Sequence, residues 1–233
     1  LESFHADARA PEHDDLDGQP GLPYRDTWRQ ASSRLEKITK LIPLPTEGAP
    51  LNPRVIPEEE LVETNNWLGG VWEETSHYEE RFRAIDDEDR LIREQQSALS
   101  NFEDLNIDLG MLRSKTRFLD FYVGVVPYAN VRQLEGAVGL ADHLLFQYMV
   151  TGDDAHVVIV GPSGDKEAQL ESVLRSAGFR HLPIPPELDH EPQVMRAELT
   201  RRREATTAQR QALSQGLADW SAGLLERLLA SRE

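Results

Sequence analysis

The chain has 233 residues, room for one or two domains, with 39% hydrophobic residues and few aromatics. It carries 25 Lys and Arg against 41 Asp and Glu, a formal charge of −16, which argues against nucleic acid as its main partner, since phosphate neutralisation needs clustered cations. With no cysteine, disulfides, zinc-thiolate sites and thiol nucleophiles are excluded, and no run of eighteen apolar residues is present to span a membrane.

In chain order, residues 1–23, "LESFHADARAPEHDDLDGQPGLP", are polar and punctuated by proline and glycine, and read as an irregular lead-in. "HDDLDG" has the look of a calcium loop, but an EF-hand frame puts His13 at its first position and Tyr24 at its twelfth, where acids belong. Residues 24–42 follow a helical period, with Trp28, Ala31, Leu35, Ile38 and Ile42 on one face. "PLPTEGAPLNPRVIP", residues 43–57, holds five prolines and breaks it.

From Glu58 to about Lys115 the pattern is helical again. Val71, Tyr78, Ile85, Ile92 and Leu99 recur every seven residues, and Leu61, Leu68 and Phe82 occupy the adjoining row, as in the a and d positions of a coiled coil. Thr75, Asp89 and Gln96 interrupt that row, and Gly69-Gly70 is a candidate kink. The seam is expected to continue through Phe102, Leu105, Leu109 and Leu112. A helix of this length suits a spacer or an arm. A second long helical pattern covers residues 191–231, with Leu199, Leu213, Leu217, Trp220, Leu224 and Leu228 on one face and an apolar-poor middle, "RRREATTAQRQ".

Between them, residues 117–186 change character. "RFLDFYVGVV" reads as a strand ended by Pro127, and "NVRQLEGAVGLADHL" as a helix with Asn130 and Gln133 resembling a capping box. "LLFQYMVT" and "HVVIVG" read as strands joined by the turn "GDDA". A helix bearing Leu170, Val173, Leu174 and Ala177 stops at Gly178, and "FRHLPIP" is the last strand. The order β-α-β-β-α-β is the ferredoxin-like split, an antiparallel sheet with both helices on one face and the other face expected to be free for a partner. The fold class is therefore α+β: a long antiparallel helical hairpin carrying this lobe at its tip. Its parts are 1–57, lead-in, short helix and Pro-rich connection; 58–116, long coiled-coil helix; 117–186, lobe; and 187–233, returning helix.

"HVVIVGPSGDKEAQL", residues 156–170, imitates a phosphate loop. A Walker loop needs five residues from the first glycine to the second and a hydroxyl after the lysine. Here Gly161 and Gly164 are three apart, Asp165 precedes Lys166, and Glu167 replaces the hydroxyl. The segment reads instead as a strand-to-helix turn, with Ser163 or Asp165 capping the helix. The histidines show no metal spacing, and His143, His156 and His181 fall at strand ends as expected surface residues. No catalytic, cofactor-binding or metal-binding residue is assigned.

The long helix, then "FLDFYVGVVPYANVRQLEGAV", then "HVVIVGPSGDKEAQLESVLRSAGFRHLPIP", then a returning helix resembles the cytoplasmic N-terminal domain of subunit I of V/A-type rotary ATPases, the counterpart of the V-ATPase a-subunit. The G-x-V-P element at Gly124–Pro127, the L-x-x-x-G-F stretch at Leu174–Phe179 and the opening "LESF" carry the resemblance. It implies a non-catalytic stator subunit of a proton-translocating complex, located at the cytoplasmic face of a membrane. Residues 117–186 would be a distal lobe that docks peripheral stalk heterodimers of subunits E and G, with the central stalk cap subunit as a further contact. It also implies that residues 1–57 are a remnant of a proximal lobe and arm, and that contact with the membrane comes only through a domain that follows in a longer chain. Two other readings stay open: a small-molecule-sensing module, and a nucleotide hydrolase using residues 161–166.

Overall fold

The computed structural model describes residues 21–45, 56–114, 116–164 and 167–232. The acidic lead-in through residue 20, most of the proline-rich connection, and Asp165 and Lys166 lie outside the described residues. Seven α-helices and four strands are described: α1 (Leu22–Leu41), α2 (Glu58–Leu99), α3 (Leu109–Arg113), β1 (Leu119–Pro127), α4 (Val131–Gly139), β2 (Leu144–Thr151), β3 (Asp154–Pro162), α5 (Glu167–Ser176), β4 (Arg180–His181), α6 (Pro192–Ala222) and α7 (Leu225–Ala230). They divide into two compact units, residues 1–83 with 212–233, and residues 84–211.

Among the described residues the elements of the first unit are all helices. Ala31, Ile38 and Ile42 of the first helical segment bury against Leu61, Leu68, Val71 and Leu228. Trp28, expected on that face, is 56% exposed. α2 runs through Gly69 and Gly70 without a break. At Gly69 the missing side chain makes room for Arg34, whose Nη1 donates to the backbone oxygen and Oδ1 of Asn65 at 2.7 and 2.6 Å. Tyr78 stacks on Trp220 with ring centroids 5.6 Å apart, and Arg227 lies 4.4 Å over the Trp67 ring while reaching Glu63. These pairs set the first half of α2 antiparallel to the chain from Ala212 onward.

In the second unit α2 and α6 again run antiparallel, here held by polar pairs. Arg202 donates to Glu88 at 2.6 Å and to Gln95 at 3.1 Å, and Arg210 pairs with Asp86. Buried Thr206 returns its hydroxyl to the Arg202 carbonyl at 2.9 Å, as Thr75 does to Val71 in the first unit at 2.7 Å. The interruption at Thr75 is thus tolerated by local hydrogen bonding, since a buried hydroxyl with a partner carries no desolvation penalty of the full size.

The lobe has the expected order of elements. Its sheet runs β2-β3-β1-β4, every neighbour antiparallel, which is the ferredoxin-like arrangement. β1 pairs with β3 over its whole length, Leu119 opposite Pro162 through Pro127 opposite Asp154. β4 is only two residues, shorter than the "FRHLPIP" expectation, because Pro183 and Pro185 cannot donate to a ladder. Gly152 and Gly178 adopt φ of +60° and +74°, closing the β2–β3 turn and the end of α5. Asn130 makes no capping bond; its amide donates instead to the Ala177 carbonyl at 3.0 Å, tying α4 to the end of α5.

Side-chain alternation gives this sheet two apolar faces. On one, Val126, Val157 and Ile159 pack under Leu134, Val138, Leu170 and Leu174 of the two lobe helices. The second face was expected to be open, and the structure corrects this. Val123, Tyr148 and Val158 bury against Leu99, Phe102, Leu105, Leu109 and Leu112, together with Leu188, Met195 and Leu199. The cause is that α2 ends at Leu99 rather than near Lys115. A short 3-10 turn, Ser100–Phe102, and the segment Asn106–Asp108 follow, with Asp108 accepting from the Met111 backbone N–H at 3.1 Å to start α3. The apolar series after Leu99 therefore folds beneath the sheet instead of extending a seam. Leaving Phe102, Leu105, Leu109 and Leu112 in water would forgo about 1.5–3 kcal/mol each.

Candidate docking surface

Three places in the lobe could host function: the glycine segment after β3, the histidines, and the part of the sheet that the hairpin end leaves uncovered. The glycine segment is accounted for by packing. Gly161 belongs to β3, and a Cβ there would overlap the imidazole of His143. Its missing side chain seats a histidine at the end of β2, and no phosphate is needed to explain the residue. Ser163 extends the strand pairing by donating its backbone N–H to the Phe118 carbonyl at 3.1 Å. Asp165 and Lys166 lie outside the described residues, so neither enters a site.

Of the three lobe histidines only His181 is exposed, which corrects the surface expectation for the other two. His143 Nδ1 lies 2.7 Å from the Ala141 carbonyl. His156 sits on the hairpin side of the sheet, edge-on to Tyr148, and its Nδ1 has no hydrogen-bond partner. Burial holds its pKa below the ordinary value, against the opposing pull of the Asn101 backbone and the Asp154 charge. Burial also pushes the Tyr148 hydroxyl up, while that hydroxyl donates to the Asn101 carbonyl at 2.9 Å. Both groups lie inside the apolar joint between sheet and hairpin end, which gives them a packing role. Among the described residues no group of three or more His, Asp or Glu side chains is placed to hold a metal ion.

The uncovered remainder is a strip along the outer end of the sheet. Leu144 opposes Val160, which opposes Phe121, and Phe146 opposes Val158. Val158 and Val123 are covered by the hairpin end, but Leu144 is 74% and Phe146 57% exposed, and Leu119, at the start of β1, is exposed as well. Clustered apolar groups of this kind, unlike scattered ones, mark interaction sites.

No family model matches the chain. Over its full length it is 26% identical to the A-type ATP synthase subunit I of Halobacterium salinarum, and it spans about a third (32%) of the length of that curated relative. Among solved structures it is similar to the crystal structure of the cytoplasmic N-terminal domain of subunit I, homolog of subunit a, of V-ATPase. The TM-score is 0.53 over 88% of this chain and 67% of that one, at 17% identity. The chain has the subunit I N-terminal fold and a subunit I relative. The resemblance drawn from the G-x-V-P and L-x-x-x-G-F stretches is therefore borne out, as is the α+β class with its four-stranded antiparallel sheet. The exposed strip lies on the lobe formed by β1–β4, α4 and α5. Sequence reasoning missed it because it took the whole second face as free. The signal available was the apolar excess of "NFEDLNIDLGMLR", too rich in Leu and Phe for a solvated arm end.

Proposed function

We propose that this chain is the cytoplasmic part of a non-catalytic stator subunit of a V/A-type rotary ATPase or ATP synthase. The full-length match to an A-type ATP synthase subunit I carries the reading, and the shared fold supports it. In it, a helical arm formed by α2 and the returning residues 187–233 links a membrane-embedded part to the peripheral stalks and resists rotor torque. The lobe, residues 117–186, docks the stalk heterodimers of subunits E and G, and the central stalk cap subunit is a further candidate contact. The chain would work at the cytoplasmic face of the membrane, its membrane domain lying in the longer protein; among the described residues no helix is long and apolar enough to cross a membrane.

The chemistry fits a mechanical part. Charged pairs such as Arg202–Glu88 and stacked pairs such as Tyr78–Trp220 brace helices against each other within each unit. Several modest contacts to different stalks would add through effective concentration. Affinity purification from detergent-solubilised membranes with an antibody to this chain should recover the ATPase catalytic subunits. Recovery of the chain alone from intact complexes would count against the reading.

One observation favours a second reading, a small-molecule-sensing module. A groove of about 1000 Å³ in the first unit is lined by Tyr24, Trp28, Leu35, Leu61 and Arg227. A metabolite that binds there would raise the melting temperature with concentration. A screen that yields no stabilising compound favours the stator.

A further inference from the structure

The outer edge of the lobe's sheet combines features that seldom occur together in a strand left to water. Among the described residues β2 has β3 on one side only, and no described strand lies beside its other backbone row. Proteins usually guard such an edge with lysine, proline or a very short strand. β4, at the opposite edge, is guarded by its length of two residues and the prolines after it. β2, "LLFQYMVT", is eight residues long and has no charge and no proline. The pairing register shifts between Gln147 and Met149, a bulge that bends the strand at Tyr148 and leaves Leu144–Gln147 as the regular, pairing-ready half. That half also carries Leu144 and Phe146, the most exposed large apolar groups of the strand.

We propose that the Leu144–Gln147 edge receives an extended segment of a partner protein, which adds a fifth strand to the sheet, with apolar side chains at alternate positions and Lys or Arg at its flanks. The backbone row fixes the extended conformation. Alternation follows because every second residue of the added strand would lie beside Leu144 and Phe146, continuing the strip through Val160 and Phe121. The basic flanks follow from charge. Asp142 precedes β2 and Asp153 follows it, the strand between them is neutral, and Asp154 next in line is already paired with Arg180. A second copy of this chain would bring the same acids against these and a net −16 against −16, which disfavours edge-to-edge self-pairing. The inference goes beyond the stator reading, since it concerns what the lobe can grip whatever complex it serves.

The test uses the whole chain and a short synthetic peptide of alternating Val and Thr with paired lysines at each end, followed by fluorescence anisotropy and by amide exchange in β2. Saturable binding with slowed exchange in β2 is expected, about tenfold weaker for a glutamate-flanked peptide and for one with proline at a central position. Phe146→Lys should weaken it similarly, and Leu144→Lys serves as a second variant; both side chains are mostly solvated, and circular dichroism checks that each variant folds. If neither folds, the proline and glutamate peptides decide the matter on the unaltered chain. Absence of binding, or binding indifferent to proline and to flanking charge, would overturn the proposal. So would sedimentation showing that the chain alone dimerises through this edge and that Phe146→Lys is monomeric.

Discussion

Three residues show how single side chains, or their absence, shape the lobe. At Gly124 in β1 an added Cβ would overlap the Phe179 ring and the Arg180 carbonyl, so β4 can lie against β1 only because this position is bare. Gly124→Ala is expected to cost about 1–3 kcal/mol, read as a lower denaturant midpoint at unchanged slope. Gly161→Ala should destabilise through the His143 ring, and adding His143→Ala should recover part of the loss, which a phosphate-binding role for Gly161 would not predict. His156 gives a pH dependence with a definite sign. Its folded pKa lies below the ordinary 6.5, so the unfolded chain takes up the proton first as pH falls. Stability is therefore complete above about pH 6.5 and declines as pH drops below it. His156→Phe, which keeps an aromatic ring beside Tyr148, should show a smaller loss of urea midpoint between about pH 7.5 and 5.5 than the unaltered chain. An equal loss would mean that other groups carry the dependence.

At the scale of elements, what was legible in the sequence and what was not divides along periodicity. Strands β1, β2 and β3 stand where the β-branched and aromatic runs put them, and Gly178 stops α5 as expected, because each of these features is local. The end of α2 was not legible, because Phe102, Leu105, Leu109 and Leu112 keep a helix-compatible spacing while their destination, the underside of the sheet, is set by tertiary packing. The same fact hid the burial of His156, which is polar in sequence but faces that joint. α6 presents the opposite case. Its stretch "RRREATTAQRQ" offers few apolar residues for packing, and Arg202 instead bridges Glu88 and Gln95. Arg202→Met should destabilise by about 1 kcal/mol, a figure discounted because the pair is partly solvated. A double-mutant cycle with Glu88→Gln should show coupling, and additive effects would mean that the bridge contributes nothing.

For the molecule as a whole, charge, fold and similarity point the same way. A chain at −16 is unsuited to binding phosphate backbones and suited to partners of opposite sign. Polar pairs such as Arg202–Glu88 brace its helices, and Gly124, Gly161 and His143 serve the packing of the lobe. The likeness to subunit I was legible because turn and packing residues such as Gly124, Pro127, Gly178 and Phe179 fix the lobe's geometry. The docking surface was not, because its extent depends on how much of the sheet the hairpin end covers. The stator account is tested most directly by calorimetric titration of a purified E and G stalk heterodimer from the same organism into the folded chain. It predicts saturable binding that disappears when charges on the lobe, residues 117–186, are reversed. No heat from a well-folded chain, or the same heat from the charge-reversed lobe, would contradict it.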